Sequence, residues 1–332
     1  MPRMEGLIAP GFEAVASAFA VDPRGGSALT ILRDGVPVVE IHEGWRDAAR
    51  TVPWTADTLV NVYSTGKPMI AAAVLRLGID LDRPMSAYWP SFQAPVSVRQ
   101  VLCHTAGLPS FPVPRDVSAW ADWDLLCTDL AAASPVWEPG AMAGEHALTY
   151  GHLLGEVVRR VSGATPADFV RDQIGPDLRY ALSPSDIARC AELEYSTPSW
   201  PVTTLARSEM LANPPGAFDV TVVNSDLWRR ATIPAVNLHT TATAIARFYV
   251  PQRGMAVPQY TGPDIFIGSE VTWGYGVQIE PDGTWGHGGT GGSAGWADPA
   301  RGLTIGYVTR RLGDFAAVDR VEEALRNLQP AT

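Results

Sequence analysis

Hydrophobic and polar positions near the start of the chain predict a helix followed by two strands. The helix covers residues 11–20, and the strands cover 27–33 and 38–42. The segment 34–37, Asp-Gly-Val-Pro, consists largely of turn-forming residues. The two strands should therefore pair as an antiparallel hairpin.

The middle of the chain is patterned mainly as helix. A short apolar run over 58–62 comes first, and Pro68 then suits the first turn of a helix. In the segment 149–161 the apolar residues recur at helical spacing, which indicates one buried face. Helical signals cover the segments 69–77, 96–103, 119–133 and 149–161.

The last hundred residues become strand-like again. Gly, Asp and Pro separate the predicted strands 274–279, 284–287, 293–297 and 303–310, and a helix over 319–328 follows. This order predicts an α+β fold, an antiparallel sheet flanked by helices with an inserted mostly helical domain. Residues 1–60 and 235–332 should form the discontinuous sheet domain and 61–234 the helical domain, with the active site at their interface.

Composition narrows the class of protein. The chain has 332 residues, 46% of them hydrophobic and 18% charged, as in ordinary globular proteins. A net charge of −10 argues against nucleic acid as a partner, because phosphate-binding surfaces are basic. No apolar run approaches the length of a membrane span, and the N-terminus lacks a cleavage signature. We expect a cytoplasmic protein with no membrane partner.

Metal and cofactor chemistry is not predicted. The cysteines are three in number and lack metal-ligand spacing, so we expect buried thiols. Four histidines are scattered and are predicted to be structural or surface groups. No phosphate loop or dinucleotide fingerprint occurs. The residues concerned are Cys103, Cys127, Cys190, His42, His104, His152 and His239.

Lys67 is the only lysine among 25 basic residues, and Ser64 precedes it by three positions. Unlike a guanidinium, a lysine amine can lose its proton when its surroundings lower its pKa. Residues three apart share a helix face, so Lys67 can reach the Ser64 hydroxyl. The amide of Ser64, free in a first helical turn, can help to bind an oxyanion. The pattern favours a serine nucleophile activated by an amine.

With this motif the chain resembles the class C β-lactamase-like and penicillin-binding-protein-like serine hydrolases. That family includes family VIII carboxylesterases, D-peptidases and a few acyltransferases. The resemblance covers nearly the whole chain and implies a β-lactamase/transpeptidase-like fold. Besides 64–67, it is carried by 79–84 (Ile-Asp-Leu-Asp-Arg-Pro), 102–109 (Leu-Cys-His-Thr-Ala-Gly-Leu-Pro), 138–140 (Glu-Pro-Gly), 146–151 (His-Ala-Leu-Thr-Tyr-Gly), 154–158 (Leu-Gly-Glu-Val-Val), 287–289 (His-Gly-Gly) and 291–295 (Gly-Gly-Ser-Ala-Gly).

The resemblance assigns roles to the segment 287–290. His287 would face the pocket, and Gly288 and Gly289 would let the substrate backbone approach closely. The amide of Thr290 would be the second oxyanion donor, beside that of Ser64. Further substrate-binding positions are predicted at Tyr63, His146 and Tyr150.

The family's third motif begins with a tyrosine, and here Glu145 occupies that position. A carboxylate beside Lys67 should raise the pKa of the amine, which would make Lys67 a poor base. Glu145 would then be the natural proton acceptor, with Lys67 as its electrostatic partner. Tyr150 and His146 are alternative bases, although Tyr150 lies on the apolar helix face. Glu145 as a solvated loop residue also stays open.

The segment 291–295 also matches the Gly-x-Ser-x-Gly pattern of α/β-hydrolases. That motif needs a helix after the serine and a later histidine, and no histidine follows His287. Ser293 is therefore predicted to be a turn residue.

The predicted function is that of a serine hydrolase acting on a small-molecule ester or amide through an acyl-Ser64 intermediate. One alternative is an acyltransferase that passes the acyl group to an amine or alcohol in small-molecule biosynthesis. A second alternative, favoured by the altered third motif, is a non-catalytic binding protein.

Overall fold

The computed structural model describes residues 4–19, 25–200 and 209–328 of the chain. Within these residues the strands are β1 Glu5–Ile8, β2 Gly26–Arg33, β3 Val36–Gly44, β4 Val60–Asn61, β5 Glu194–Tyr195, β6 His239–Thr240, β7 Tyr260–Asp264, β8 Ser269–Trp273, β9 Gln278–Ile279, β10 Trp285–Gly288, β11 Ala294–Asp298, β12 Leu303–Thr309 and β13 Arg311–Leu312.

The helices of the same residues lie mainly in the middle of the chain. The α-helices are α1 Glu13–Phe19, α2 Lys67–Arg76, α3 Val98–Leu102, α4 Trp123–Ala131, α5 Tyr150–Ser162, α6 Pro166–Phe169, α7 Pro184–Ile187, α8 Val220–Val223, α9 Asp226–Arg230, α10 Ala242–Tyr249 and α11 Ala316–Arg326. Short 3₁₀ turns cover Tyr63–Gly66, Met85–Ala87, Val117–Ala121, Glu209–Ala212 and Arg253–Met255, and a π turn covers Val170–Ile174.

Nine of the described strands form one antiparallel sheet in the order β1-β3-β2-β12-β11-β10-β9-β8-β7. The two ends of the chain meet inside it, because β2 pairs with β12 from Ser27 opposite Thr309 to Arg33 opposite Leu303. Helices cover both faces of the sheet. The predicted α+β class, with an antiparallel sheet flanked by helices, is confirmed. The division into two domains stays a prediction.

The two faces of the sheet are buried by different helices. On one face, α1 and α11 pack over apolar residues of β2 and β12 such as Leu29 and Ile305. On the other face α10 approaches the strands so closely that two of them carry glycine at the contact. A Cβ atom at Gly306 would lie 2.2 Å from the Ala242 carbonyl oxygen, and one at Gly295 would lie 2.3 Å from the Ile245 side chain.

The predicted hairpin is present, with a tighter turn than expected. β3 begins at Val36, so only Asp34 and Gly35 connect the strands, and both have positive φ (49° and 81°). Such a two-residue turn matches the twist of the flanking strands. The expected four-residue turn over 34–37 is thus wrong in length.

Other differences concern short elements. The predicted helix over 119–133 is divided at Asp122, whose side chain accepts the Leu125 amide hydrogen and caps α4. The expected strand over 274–279 is reduced to β9. Strands β1, β7 and β8 lie at or near the sheet edges and were not predicted, because β1 and β7 bury too few side chains to show an alternating pattern.

The three cysteines are buried and free, as predicted. Among the described residues, no helix is both long enough and apolar enough to cross a membrane.

Candidate active site

Ser64 lies on a turn between a strand and a helix. Strand β4 pairs with β6, and the Val62 amide then donates to the Leu238 carbonyl oxygen (2.9 Å). The chain turns sharply at Tyr63, whose φ of +48° is unusual for a bulky residue. The 3₁₀ turn Tyr63–Gly66 leads directly into α2, which begins at Lys67. This turn sets Ser64 and Lys67 on the same side of the chain.

Lys67 connects Ser64 to Glu145. The Lys67 Nζ atom lies 2.6 Å from Ser64 Oγ and 3.0 Å from Glu145 Oε1. The carbonyl oxygen of Ala235 lies 3.5 Å from the same nitrogen. The lysine side chain is fully buried, whereas 22% of the Glu145 side chain is exposed. The three predicted catalytic residues are thus brought together in the order Ser64, Lys67, Glu145.

Burial is the largest influence on the pKa values of Lys67 and Glu145. It lowers the pKa of the Lys67 amine, and the Glu145 carboxylate offsets only part of that decrease. Glu145 raises the pKa of Lys67, as expected, but desolvation of the buried ammonium outweighs this attraction, so the net change is a decrease and the inference that Lys67 would be a poor base does not follow. Burial raises the pKa of Glu145, but Lys67 and His287 bring it below its ordinary value. An ionised Glu145 is a weak proton acceptor.

The geometry separates the candidate bases. Within the described part of the chain, Lys67 is the side chain that hydrogen-bonds Ser64 Oγ, and Glu145 reaches Lys67 instead. Tyr150 is fully buried in α5, and its hydroxyl donates to the Leu102 carbonyl oxygen (3.2 Å). Its ring is part of the core, which agrees with its place on the apolar helix face.

His146 is also held away from proton transfer at Ser64. Its Nε2 accepts the Leu108 amide hydrogen (3.0 Å), and its Nδ1 lies 2.8 Å from the Gly144 carbonyl oxygen. Both ring nitrogens are occupied, and burial lowers the pKa of His146 to about 4. The ring is neutral, and its one available lone pair, on Nε2, already accepts the Leu108 amide hydrogen. His146 is therefore a structural group and not a base.

Tyr63 supports the nucleophile turn from the interior. Its ring is 1% exposed and stacks on Phe218, with centroids 5.7 Å apart and planes 4° apart. The structure therefore places the Tyr63, His146 and Tyr150 side chains in the packing around the site, and none of them hydrogen-bonds Ser64 or Lys67.

The loop after β10 packs directly against the nucleophile turn. A Cβ atom at Gly289 would lie 2.2 Å from the Val62 carbonyl oxygen and 2.7 Å from Thr65 Oγ1. The Thr65 hydroxyl also donates to the Ser293 carbonyl oxygen (3.0 Å). Glycine at position 289 thus allows the loop to lie directly against the nucleophile turn.

Gly288 has a different neighbour. A Cβ atom there would lie 2.9 Å from the Phe315 ring. The resemblance implied that Gly288 admits substrate, but in this structure its missing side chain makes room for Phe315.

Two backbone amides remain free near Ser64. The Ser64 amide lies in a first helical turn, where it has no acceptor in the helix. Within the described residues the Thr290 amide makes no hydrogen bond, whereas the preceding Gly289 amide donates to the Ser293 carbonyl oxygen (2.7 Å). These two donors are available to stabilise a negative oxygen.

His287 lies on β10 and is partly buried. Its Nδ1 is 2.7 Å from the Gly288 carbonyl oxygen, and its Nε2 is buried without a hydrogen-bond partner among the described residues. Burial and the nearby Lys67 lower its pKa to about 4, so the ring is neutral. A neutral ring bonded through Nδ1–H presents an Nε2 acceptor.

Ser293, which was predicted to be a turn residue, lies in the loop between β10 and β11. Strand β11 follows it directly, and its hydroxyl accepts the Thr309 amide hydrogen (3.2 Å). The helix that an α/β-hydrolase serine requires is absent at this position.

Two residues next to the site were not assigned to it from the sequence: His104, which was predicted to be a structural or surface group, and Asp264. His104 has a φ of +62°, and its Nδ1 accepts the His146 amide hydrogen (3.0 Å). Asp264, on β7, accepts the Glu145 amide hydrogen (3.2 Å). His104 lies within the quoted 102–109 motif, which is a signal for it, whereas nothing in the sequence around Asp264 marks it.

No metal centre is formed by the part of the chain described, since no three His, Cys, Asp or Glu side chains are suitably grouped there.

Comparisons with known proteins agree with this fold. The family model described as Beta-lactamase matches residues 15–328. The esterase/beta-lactamase LipL of Mycobacterium tuberculosis is 31% identical over 365 aligned positions, covering 93% of this chain and 83% of that protein.

Solved structures give the same assignment. A family VIII carboxylesterase is 30% identical with a TM-score of 0.86, over 98% of this chain and 99% of that chain. A penicillin-binding protein homologue from Caulobacter crescentus is 30% identical with a TM-score of 0.85, over 98% and 100%. The predicted β-lactamase/transpeptidase-like fold is confirmed, and the chain belongs to the Beta-lactamase family.

Proposed function

We propose that the protein is a serine esterase that forms an acyl-enzyme on Ser64 and transfers the acyl group to water. The observation that carries the proposal is the 2.6 Å separation of Lys67 Nζ and Ser64 Oγ at a fully buried amine. Burial lowers the pKa of this lysine, which favours the neutral amine that accepts the serine proton.

The reaction begins when Ser64 Oγ attacks the ester carbonyl carbon and its proton passes to Lys67. The negative carbonyl oxygen is bound by the Ser64 and Thr290 amides. When the tetrahedral intermediate breaks down, the bond to the leaving alcohol breaks and Lys67 returns the proton to that oxygen. Water then attacks the acyl-Ser64 carbonyl and gives a proton to Lys67. The bond to Ser64 Oγ breaks, Lys67 returns the proton to that oxygen, and the free acid leaves.

Glu145 stabilises the charge that forms during these steps. Lys67 becomes an ammonium each time it accepts a proton, and the ionised carboxylate lies 3.0 Å away. This attraction favours the charged state in a buried position, where an isolated ammonium is unfavourable. Glu145 is thus a partner of the base.

Esters fit this site better than amides. An amide nitrogen must be protonated before it can leave, whereas an alcohol oxygen leaves with less assistance. Within the described residues, one proton-carrying side chain, Lys67, contacts Ser64. Two similar proteins, the esterase/beta-lactamase LipL and the family VIII carboxylesterase, support the same choice.

The proposal is tested by turnover and product analysis with p-nitrophenyl acetate and butyrate, with and without benzyl alcohol or an amine. An esterase releases p-nitrophenol and the free acid. Benzyl ester or amide as the main product would favour the acyltransferase alternative. No turnover and no covalent adduct on folded protein would favour the binding-protein alternative.

Replacing Glu145 by Gln is expected to move the acidic limb of the kcat/KM profile to lower pH. The carboxylate raises the pKa of Lys67, so its loss leaves the amine with a still lower pKa. The neutral base then persists in more acidic solution. The measurement is the pH dependence of p-nitrophenyl butyrate hydrolysis. An acidic limb that vanishes in Glu145→Gln would show instead that Glu145 is the titrating base.

Replacing Gly289 by Ala is expected to slow acylation by about 100-fold, the scale reported for displacements of about 1 Å at a catalytic group. The new Cβ atom would lie 2.2 Å from the Val62 carbonyl oxygen, so the loop must move away from the nucleophile turn. The rate of fluorophosphonate labelling measures this. Gly254→Ala is the matched control, because nothing lies within 4 Å of an added Cβ there. Equal labelling rates would contradict the role given to this contact.

A further inference from the structure

Asp264 is a buried carboxylate at the end of strand β7, with 1% of its surface exposed. Its Oδ1 accepts three backbone amide hydrogens, those of Phe266 (3.0 Å), Ile267 (3.1 Å) and Glu145 (3.2 Å). Its Oδ2 accepts the indole N–H of Trp273 (3.2 Å). The first two bonds cap the turn that follows β7, and the third binds a separate segment of the chain.

The segment that contains Glu145 is held from two sides. On one side, the Ile265 amide donates to the Ala143 carbonyl oxygen (3.1 Å), next to the bond between Asp264 and Glu145. On the other side, the Gly144 amide donates to the His104 carbonyl oxygen (3.1 Å). Glu145 lies in a loop before α5, where no helical hydrogen bonds hold the backbone. These contacts hold it instead.

The indole bonded to Asp264 packs against two further residues of the site. The Trp273 ring lies 4.5 Å from the His104 ring and 5.8 Å from the His287 ring, measured between centroids. One carboxylate therefore joins the Glu145 loop to the wall of the site near His287.

We infer that Asp264 is a positioning residue that holds the Glu145 backbone so that the Glu145 carboxylate reaches Lys67. The inference rests on the proposed function, since it assigns Asp264 an effect on the base of that reaction. A carboxyl side chain suits this task, because its two oxygens together accept all four of these hydrogens. In asparagine an N–H₂ group replaces one of the two oxygens. That group would point either at the three backbone amides or at the indole N–H, and it cannot accept a hydrogen bond from them.

The test is Asp264→Asn, alone and combined with Glu145→Gln, with fluorophosphonate labelling and p-nitrophenyl butyrate kinetics. The single variant is expected to lose roughly tenfold in kcat with little change in KM, within the range caused by small displacements of catalytic groups. Because Glu145 then interacts less with Lys67, the acidic limb should move to lower pH, as in Glu145→Gln. In the Glu145→Gln background the second replacement should change the rate little.

Three histidines interact electrostatically with Lys67 and could therefore affect its pH profile. The pKa of His146 and that of His287 are lowered to about 4, and that of His104 is lowered further below its ordinary value, in each case chiefly by burial. All three stay neutral near pH 7, so they do not produce a limb there.

Asp298→Asn is the matched control. Asp298 ends β11 and is 6% exposed, and its Oδ1 accepts the Arg301 amide hydrogen in the turn that follows (3.1 Å). It shares the burial and turn-capping role of Asp264 without a bond to Glu145. If Asp264→Asn does not fold, Asp264→Ser, which can still cap the turn, replaces it.

The outcomes separate the two proposals. An active wild type with an unchanged Asp264→Asn rate and pH profile would overturn the inference alone. The same would follow if Asp264→Asn slowed the wild type and Glu145→Gln by equal factors. A wild type that neither hydrolyses esters nor is labelled would overturn the proposed function and the inference with it.

Discussion

Ser64→Ala is expected to reduce kcat/KM for p-nitrophenyl esters by about 10⁴-fold or more, the scale found when a serine nucleophile is removed. The reason is geometric. Lys67 Nζ lies 2.6 Å from Ser64 Oγ, and no other hydroxyl of the described residues hydrogen-bonds this amine. The amides of Ser64 and Thr290 would remain, so substrate could still bind without being acylated. Initial rates of p-nitrophenol release measure the loss.

Ser293→Ala is the control for this variant. Ser293 belongs to the pattern that imitates an α/β-hydrolase serine, but its hydroxyl accepts the Thr309 amide hydrogen. Its removal should leave most of the activity. A Ser64→Ala protein that keeps its rate while Ser293→Ala loses it would contradict the assignment of the nucleophile.

Lys67→Met is expected to lower kcat/KM by about 10³- to 10⁴-fold, as loss of a serine-activating base does. Methionine fills a similar volume but accepts no proton. The replacement also removes the polar group that lies 3.0 Å from the partly buried Glu145 carboxylate, so the free energy of unfolding should fall as well. Kinetics on p-nitrophenyl butyrate, together with thermal unfolding curves, separate the two effects.

Lys67→Arg tests whether the charge alone is enough. A guanidinium can still bond the Glu145 carboxylate but stays protonated at every working pH. It should therefore restore stability without restoring the rate. A Lys67→Arg protein with near wild-type kcat would show that Lys67 acts only as a charge, and the base would have to be another group.

The sequence predicted the elements whose patterns are local. The turn with Ser64 and the helix with Lys67 follow from a three-residue spacing and a first-turn proline, and the structure places both groups in contact. The central strands β2 and β12 were predicted because their apolar residues are continuous and their turns carry Gly and Asp. Edge strands such as β7 have weak patterns, since one of their sides is solvated.

The electrostatics of the site could not be predicted from residue identity. A carboxylate near a lysine raises its pKa in water, but the depth of burial of Lys67 reverses the net direction. That depth depends on packing of α2 against distant segments, including Ala235. His146 and Tyr150 were plausible bases in sequence, and only their partners, Gly144, Leu108 and Leu102, show that they are structural.

Asp264 illustrates the same limit over a longer distance. It lies 119 positions from Glu145 in the sequence, and the hydrogen bond between them exists because β7 folds beside the loop before α5. No spacing rule links two residues so far apart. Such second-layer contacts require the folded chain.

The most direct test of the central claim is intact-protein mass spectrometry after brief incubation with a fluorophosphonate, and separately with p-nitrophenyl acetate followed by acid quench. Peptide mapping then locates the modified residue. One adduct per chain is expected, on Ser64, and it should be absent from Ser64→Ala and present in Ser293→Ala. No adduct on folded wild-type protein, or an adduct on another residue, would contradict it.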